Sequence, residues 1–420
     1  MLFMKDHVAK QARRAKEASR QLACLSVETR NAALLAMADA LEANQEEILE
    51  VNAKEVEAAK EKGTRLNMID RLILNPKRIA GMAEGIRQIV KLDDPIGKLD
   101  FEVVRPNGLK IRRVRVPFGV IGIIYEARPN VTADAIALCI KSGNACFLRG
   151  GSEAVRTNKK LVEVMREAAV EKGIPENAIE FLSIIDRDAV VVMCRLRKLI
   201  DVIIPRGGAG LISRVVEHST VPVIETGTGV CHTFVDKTAD FDMAIKICDN
   251  AKTQRPSVCN AMETLLIHKD IAEEFLPKIA TVLREKNVEL RGDEACRKIL
   301  PDMKEAVEDD WSTEYSALIL SVKIVADVDE AIAHINKYSS EHSDAIITND
   351  KENAAKFEQQ IDSAAVYVNT STRFTDGFEF GFGAEIHMVD VRRKQSDRRR
   401  VRHCGRCQYR HLLSRRSDRR

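Results

Sequence analysis

The sequence is poor in aromatic residues and lacks any long apolar segment. Aromatic side chains make up 5% of its 420 residues and include a single tryptophan, Trp311. No apolar run approaches the roughly 20 residues that a membrane-spanning helix needs. Residues 1–20 are charged and alanine-rich, without the apolar core of a secretory signal. We therefore expect neither a membrane protein nor a secreted one.

Cysteines are present, but they lack the spacing of a disulfide framework. The ten cysteines are scattered through the chain, which, without a secretory signal, indicates reduced thiols in a cytoplasmic protein. The histidines share no metal-ligand spacing. One C-x-x-C cluster near the end of the sequence has too few apolar residues around it to frame a zinc site, so we expect no metal. That cluster consists of His403, Cys404, Cys407 and His411.

The positive charge of the chain is concentrated in its last residues. The formal net charge is +3, yet residues 387–420 carry 13 Lys or Arg against 3 Asp, a balance of +10, which leaves −7 for residues 1–386. Because the basic charge is not spread over a folded face, we expect no nucleic-acid-binding role for the body of the protein. The remaining composition, 45% hydrophobic and 31% charged, is that of a globular protein. Its length allows two packed domains, because single cores stop growing at roughly 250–300 residues.

The hydrophobic pattern changes near residue 100. The first hundred residues show helical spacing, for example over 8–24 and 28–41, and Asn107-Gly108 between two alternating segments predicts a hairpin. From Val120 onward, short apolar runs alternate with helical segments, which predicts parallel sheets covered by helices. The predicted strands are 120–125, 145–148, 179–184, 202–204, 221–224, 263–267, 318–325, 345–348 and 365–368.

Three glycine-rich turns follow predicted strands, where open α/β sheets bind ligands. They are Arg149-Gly150-Gly151, Gly207-Gly208-Ala209-Gly210 and Thr226-Gly227-Thr228-Gly229. Backbone N–H groups in such turns suit phosphate, but none matches the GxGxxG dinucleotide fingerprint, and each is also explained as a tight turn. Taken together, they favour nucleotide binding only modestly.

One cysteine differs from the others in its surroundings. Cys139, Cys146, Cys194 and Cys248 lie in apolar or helical segments, as small buried hydrophobes do. Cys259 follows Arg255-Pro256-Ser257 in a polar loop, where a neighbouring arginine favours the thiolate. From spacing alone, a structural role for Cys259 remains open beside a catalytic one.

Four segments resemble the γ-glutamyl phosphate reductase (glutamate-5-semialdehyde dehydrogenase) family of the aldehyde dehydrogenase superfamily, and the likeness extends to about residue 386. They are VPFGVIGIIYEARPNVT at 116–132, KSGN with LRGGSE at 141–153, VCNAMET at 258–264 and VNTSTRFTDG at 368–377. The resemblance implies an α/β fold with two parallel-sheet domains, a modified Rossmann cofactor domain and a catalytic domain, plus a small β-ribbon. The boundaries we expect are 1–98 with 121–230 for the cofactor domain, 231–368 for the catalytic domain and 99–120 with 369–386 for the ribbon.

The resemblance further implies NADPH-dependent reduction of L-glutamyl 5-phosphate to L-glutamate 5-semialdehyde, with release of phosphate, in proline biosynthesis. Cys259 matches the family nucleophile that forms a thioester, Asn130 the asparagine that stabilises the oxyanion, and Glu225 the general base of oxidising relatives. Arg149 and Glu314 match ribose-binding positions, and Gly207, Gly208 and Gly210 flank the pyrophosphate. Arg128, Arg255 and Arg373 are candidates for binding the substrate phosphate or carboxylate. Without the family, each of these residues also has a structural explanation.

The chain departs from the family after residue 386. Family members continue there with a closing strand that helps to build the oligomer. Residues 387–420 are instead rich in arginine, serine and cysteine, and they lack a strand or helix period. We expect this tail to be disordered, and a frameshift near codon 386 would explain it. Translating the gene in the other two frames tests that hypothesis.

An intact family member is expected to be a homo-oligomer functionally coupled to glutamate 5-kinase. The alternatives are another enzyme of the aldehyde dehydrogenase superfamily, or a catalytically impaired form whose basic tail binds nucleic acid or acidic surfaces.

Overall fold

The computed structural model describes residues 2–64, 66–126, 128–224, 229–377, 379–380 and 408–414. They form two compact units, one with the described residues up to 224 together with 408–414, and one with those from 229 to 380. Each unit contains a parallel sheet with helices, so the predicted α/β class is confirmed. Over the described ranges, every helix is too short or too polar to cross a membrane.

The first unit begins with helices and continues as a parallel sheet. Its helices are α1 (Leu2–Leu22), α2 (Val27–Ala43), α3 (Gln45–Glu61), α4 (Leu66–Leu72), α5 (Pro76–Lys91), α6 (Pro129–Lys141), α7 (Val155–Glu171), α8 (Asp188–Cys194) and α9 (Ala209–His218). Its strands are β1 (Leu99–Val104), β2 (Lys110–Val116), β3 (Val120–Tyr125), β4 (Ala145–Arg149), β5 (Ile179–Phe181) and β6 (Val202–Arg206). The four-stranded parallel sheet has the order β5-β4-β3-β6. Strand β3 lies inside this sheet and is buried at every position, which explains its uninterrupted apolar sequence.

The predicted hairpin is confirmed as the antiparallel pair β1–β2. Its connection contains Gly108 at φ +79°, a left-handed conformation that glycine adopts without steric cost. The basic residues of β2 pair with acidic residues of β1, as in Lys110–Glu102 at 2.9 Å and Arg115–Asp100 at 3.1 Å. The charge alternation therefore reflects cross-strand pairing on an exposed ribbon.

Part of the tail forms a strand, contrary to the expectation that 387–420 has no regular structure. Strand β14 (Gln408–Ser414) pairs antiparallel with β2 along its whole length and completes a three-stranded sheet of order β1-β2-β14. The physical reason is the open edge of β2, whose N–H and C=O groups pair with any extended segment that reaches them. The rest of the tail, including His403, Cys404 and Cys407, lies outside the described residues.

The second unit is built on a seven-stranded parallel sheet of order β10-β9-β11-β8-β7-β12-β13. Its strands are β7 (Cys231–Val235), β8 (Met262–His268), β9 (Glu289–Gly292), β10 (Lys304–Glu305), β11 (Ile319–Val325), β12 (Ser343–Ile347) and β13 (Ala365–Val368). Its helices are α10 (Phe241–Thr253), α11 (Lys269–Glu285), α12 (Glu294–Ile299), α13 (Val328–Tyr338) and α14 (Lys351–Gln360).

Helices cover both faces of this second sheet, and successive side chains of a strand therefore enter the two cores in turn. On β8, Leu265 and Ile267 belong to the core formed with α10 and α11, whereas Leu266 belongs to the core formed with α13 and α14. The alternation follows from the two-residue period of a strand.

The prediction of local structure was wrong for 221–224, and it missed strands β7, β9 and β10. Residues 221–224 form a single bridge, between Val223 and Ile203, instead of a strand. Strand β7, which starts at Cys231, was not predicted, although it is buried throughout. Its sequence mixes histidine and threonine with apolar residues, so the apolar run that marks other buried strands is interrupted.

Candidate active site

Several candidate residues of the first unit lie at the carboxyl ends of neighbouring strands. Arg128 and Asn130 follow β3 at the start of α6, Arg149 ends β4, and Gly207 with Gly208 follows β6 just before α9. Strands β4, β3 and β6 are adjacent and parallel. These residues therefore share one edge of the sheet, where α/β proteins bind ligands.

Arg149, at the end of β4, is a buried cation. Its side chain is 8% exposed, and its Nη2 donates to the carbonyl of Ile185 at 3.0 Å. Burial lowers the pKa of its guanidinium. Its Nε is buried without a hydrogen-bond partner among the described residues, so the group retains a donor for an anionic ligand.

A carboxylate lies at the start of α9. The backbone N–H of Gly208 donates to Oε1 of Glu126 at 2.9 Å, which shows that this turn accepts an anion. A Cβ atom at Gly207 would approach the Glu126 side chain to 2.7 Å, whereas one at Gly210 would meet nothing within 4 Å. Glycine is therefore sterically useful at 207 but not at 210.

Asn130 is the second residue of α6 and is exposed. Its amide Nδ2 lies 3.5 Å from Oδ2 of Asp134, a weak contact. Burial raises the pKa of Asp134 to about 6. Arg128, just before α6, is also exposed. The amide of Asn130 is thus accessible to a ligand at the end of β3.

Cys259 lies in the loop between α10 and β8 of the second unit and is partly exposed. Among the described cysteines only Cys24, at the end of α1, is more accessible, and the others are buried. Burial raises the pKa of Cys248, and it raises that of Cys194 to about 11. Such thiols remain protonated near neutral pH, so accessibility separates Cys259 from the buried cysteines, as the sequence predicted.

The backbone of Cys259 is held by two close neighbours. A Cβ atom at Gly229 would overlap the carbonyl of Cys259, so only glycine fits there. The thiol of Cys231 donates to that same carbonyl oxygen at 3.2 Å. Burial raises the pKa of Cys231 well above its usual value, which keeps this thiol a donor.

Arg373 lies beside the candidate nucleophile, Cys259. Its guanidinium is held by Asn260, the residue that follows Cys259 in the chain. Its Nη1 donates to Oδ1 of Asn260, and its Nε donates to Oε1 of Gln254 at 2.9 Å. Asn260 in turn donates to the carbonyl of Thr375 at 3.0 Å. Burial lowers the pKa of Arg373, while the negative charge of a Cys259 thiolate acts in the opposite direction. An arginine so placed stabilises a thiolate or an anionic substrate.

Glu314 contacts Gly229, the residue that lies against the Cys259 carbonyl. Its carboxylate accepts the N–H of Gly229, and burial raises its pKa. Arg255, also predicted to bind substrate, is exposed, and its charge lowers the pKa of Arg373. Of the residues predicted in the second unit, the structure thus brings Cys259, Arg255, Arg373 and Glu314 together. Glu225, the predicted base, lies outside the described residues.

Sequence reasoning missed a buried ion pair beside this loop. Lys252 of α10 and Glu263 of β8 are joined at 2.5 Å, and both side chains are fully buried. Burial raises the pKa of Glu263 to about 7 and lowers that of Lys252. The signal was present as two opposite charges at core positions on either side of the candidate nucleophile.

This fold and site define the class of protein. The family model "Aldehyde dehydrogenase family" matches residues 3–297 and 300–384 of the sequence. The match ends close to residue 386, where the likeness to the family was found to stop.

Comparison with individual proteins identifies the particular family. The chain is 57% identical over 381 residues to the γ-glutamyl phosphate reductase of Carboxydothermus hydrogenoformans, covering 91% of this chain and 92% of the relative. It is 55% identical over 375 residues to that of Caldanaerobacter subterraneus subsp. tengcongensis, covering 89% and 91%. The crystal structure of γ-glutamyl phosphate reductase from Thermotoga maritima superposes with a TM-score of 0.92 at 47% identity, covering 98% of this chain and 99% of that one. The chain therefore belongs to the γ-glutamyl phosphate reductases, oxidoreductases of the aldehyde dehydrogenase family.

Proposed function

We propose that this protein reduces L-glutamyl 5-phosphate to L-glutamate 5-semialdehyde with NADPH, releasing phosphate, as a step of proline biosynthesis. The observation that carries the proposal is Cys259, a partly exposed thiol beside Arg373, in a chain that belongs to this family. The proposed setting is the cytoplasm, where the reducing environment keeps the thiol available.

The proposed chemistry centres on Cys259. The thiolate of Cys259 attacks the acyl carbon, the bond between that carbon and the phosphate oxygen breaks, and phosphate leaves with the bonding electrons. The amide of Asn130 and the backbone N–H of Cys259 are the proposed donors to the oxyanion. A thioester on Cys259 remains, and the thiolate is released again when its C–S bond breaks. When bound, the reduced nicotinamide supplies the hydride that makes the aldehyde.

The residues at the strand ends of the first unit fit a dinucleotide. In the turn before α9, the backbone N–H of Gly208 donates to the carboxylate of Glu126. This turn is the place proposed for the pyrophosphate. The Nε of Arg149, which has no hydrogen-bond partner in the described part of the chain, is the proposed donor near the adenosine ribose. Gly207 and Gly210 complete the proposed pyrophosphate turn. Glu314 is proposed to contact the nicotinamide ribose. The additional phosphate on the adenosine ribose, which distinguishes NADP from NAD, suits this cationic position.

Three arginines are proposed for the anionic substrate. Arg373 is the strongest candidate, because it interacts with Cys259 and is oriented by Asn260. Arg255 lies near Arg373 and is proposed to bind the phosphate or the α-carboxylate from the exposed side. Arg128 is the proposed contribution of the first unit. Glu225 is proposed as a general base that the reductive direction needs less, since phosphate is itself a good leaving group.

The assembly is proposed to be a homo-oligomer formed through the β1–β2 ribbon, with functional coupling to glutamate 5-kinase. The proposed parts of the chain are a ribbon element (99–120 and 369–386), a cofactor domain (1–98 and 121–230) and a catalytic domain (231–368). The exposed apolar side chains of Leu99, Phe101 and Val104 on β1 support an interface there.

The decisive experiment compares Cys259→Ala with wild type. We expect wild type to reduce NADP⁺ only when both phosphate and glutamate 5-semialdehyde are present, and Cys259→Ala to lose turnover by at least about 10³-fold while still binding the dinucleotide. Cys24→Ala, which removes the other accessible described thiol, is the control and is expected to keep full activity. Turnover by Cys259→Ala, or turnover independent of phosphate, would contradict the proposal.

A further inference from the structure

The buried pair Lys252–Glu263 joins the two ends of the loop that carries Cys259. Lys252 lies in the last turn of α10, and Glu263 is the second residue of β8. Their side chains meet at 2.5 Å and are fully inaccessible to solvent. The loop 254–261 therefore has its two flanking elements tied together by one ion pair.

The same pair also holds a second segment. Oε1 of Glu263 accepts the backbone N–H of Ser316 at 3.3 Å. The ammonium group of Lys252 lies 5.9 Å from the centre of the Tyr315 ring, within range of a cation–π interaction. Ion pair, hydrogen bond and ring contact together connect the Cys259 loop to residues 314–316.

The segment 314–316 is also linked, through Gly229, to the backbone of Cys259. Glu314 precedes Tyr315 and accepts the N–H of Gly229, whose α-carbon lies against the carbonyl of Cys259. The contacts thus run from the ion pair through 314–316 and Gly229 back to the middle of the loop. Every contact in this ring lies inside the second unit.

We infer that Lys252 and Glu263 are positioning residues that hold the Cys259 loop and the Glu314 segment in one fixed arrangement. The inference rests on the proposed function in so far as Cys259 is the nucleophile. Neither residue touches the reacting atoms; both act through Ser316, Gly229 and the loop backbone.

Stability alone does not account for the pair. Burying two charges is costly, and well-packed apolar residues of similar size often replace such a pair without loss of stability. Here the two charges stand at the boundaries of one functional loop, and the carboxylate uses its second oxygen on another functional segment. A pair with this placement orders both segments at once, which an apolar contact without directional bonds does not do.

Amide hydrogen exchange tests the inference without any need for turnover. In Glu263→Gln, we expect exchange in peptides covering both 254–261 and 313–317 to rise together by at least on the order of tenfold, with the strands of the seven-stranded sheet unchanged. Lys286→Met is the matched control, because it removes another ion pair of α10, that with Asp249 at 2.6 Å, away from the loop. We expect it to leave both peptides at their wild-type exchange.

A second variant separates positioning from folding, because Glu263→Gln leaves a buried lysine without its charged partner and can unfold the unit. Lys252→Met with Glu263→Leu removes both charges and keeps an apolar core, so its denaturation midpoint is expected to stay near that of wild type. The N–H of Ser316 still loses its acceptor. Exchange at 313–317 is therefore expected to rise, and kcat to fall by about tenfold or more with little change in KM.

A rescue variant completes the test. Lys252→Arg with Glu263→Asp combines a longer cation with a shorter carboxylate and is expected to recover most of the protection and of kcat. The inference is overturned when the apolar double variant keeps wild-type exchange and kcat, or when exchange rises uniformly over the unit. If wild type shows no turnover while the exchange pattern appears, the proposed function fails but the positioning role of the pair stands.

Discussion

At the scale of single residues, the close packing on the Cys259 backbone determines what each neighbouring position tolerates. Gly229 touches the Cys259 carbonyl, Cys231 donates to it, and Arg373 is oriented by the adjacent Asn260. None of these requirements follows from residue type, since a glycine in a glycine-rich turn is explained equally well by backbone conformation.

Gly229→Ala should therefore be damaging even though the change is one methyl group. We expect it to lower the free energy of unfolding by roughly 1–3 kcal/mol, because the new Cβ atom displaces the Cys259 peptide, and to slow iodoacetamide labelling of Cys259, followed by mass spectrometry of that peptide. Gly81→Ala in α5 is the control: nothing lies within 4 Å of its Cβ position, and it should stabilise by up to about 1 kcal/mol. Equal effects of the two changes would refute the steric argument.

At the scale of elements, helix α7 begins with a cap from a distant part of the chain. Its N-cap residue, Ala154, has no side chain that can cap. The buried carboxylate of Glu55 on α3 instead accepts the N–H of Arg156 at 2.8 Å, and the N–H and hydroxyl of Thr157 at 2.9 and 2.6 Å. Three donors at a helix start are thus satisfied by one acid.

We expect Glu55→Ala to lower the free energy of unfolding by about 1–3 kcal/mol, because it leaves buried donors without an acceptor. Glu50→Ala, which removes only an exposed pair with Lys54 on the same helix, should cost less than about 0.5 kcal/mol. Urea denaturation of the two variants beside wild type measures both. A loss in Glu55→Ala no larger than that in Glu50→Ala would show that the distant cap is unimportant.

At the scale of the whole molecule, the second unit contains buried neutral imidazoles that make its stability depend on pH. Burial lowers the pKa of His334 to about 3 and that of His342 to about 4, from 6.5. Between these values and 6.5, the unfolded chain binds protons that the folded one does not. Stability is therefore complete above about pH 6.5 and is lost as the pH falls.

His334→Leu should make the unfolding free energy less steep against pH. His232, Lys323 and Lys337 are the charged or titratable neighbours that disfavour the proton on His334, and they remain in the variant. Between pH 6.5 and 4, we expect the number of protons taken up on unfolding, which sets this slope, to be lower than in wild type by up to about one. Chemical denaturation at several pH values measures it, and an unchanged slope would mean that His334 does not titrate on unfolding.

Much of the architecture was predictable because local pattern and burial agree. Strands β2 and β3 were located from alternation and from an uninterrupted apolar run, and the turn at Asn107-Gly108 joined β1 to β2. Prediction failed where a tertiary contact overrides the pattern. Strand β7 is buried despite its polar residues, and β14 is a strand because β2 offers it an open edge.

The sequence by itself determined the fold class and the family, and it singled out Cys259 as the candidate nucleophile, because strand and helix periods, turn residues and long motifs are local properties of the chain. Only the tertiary structure decided which groups surround that cysteine. Lys252 and Glu263 form a buried ion pair at the two ends of the Cys259 loop, and Gly229 lies against the Cys259 carbonyl. In the first unit, likewise, Glu126 accepts the N–H of Gly208 at the start of α9. Such contacts depend on how the elements pack, and no local pattern encodes packing.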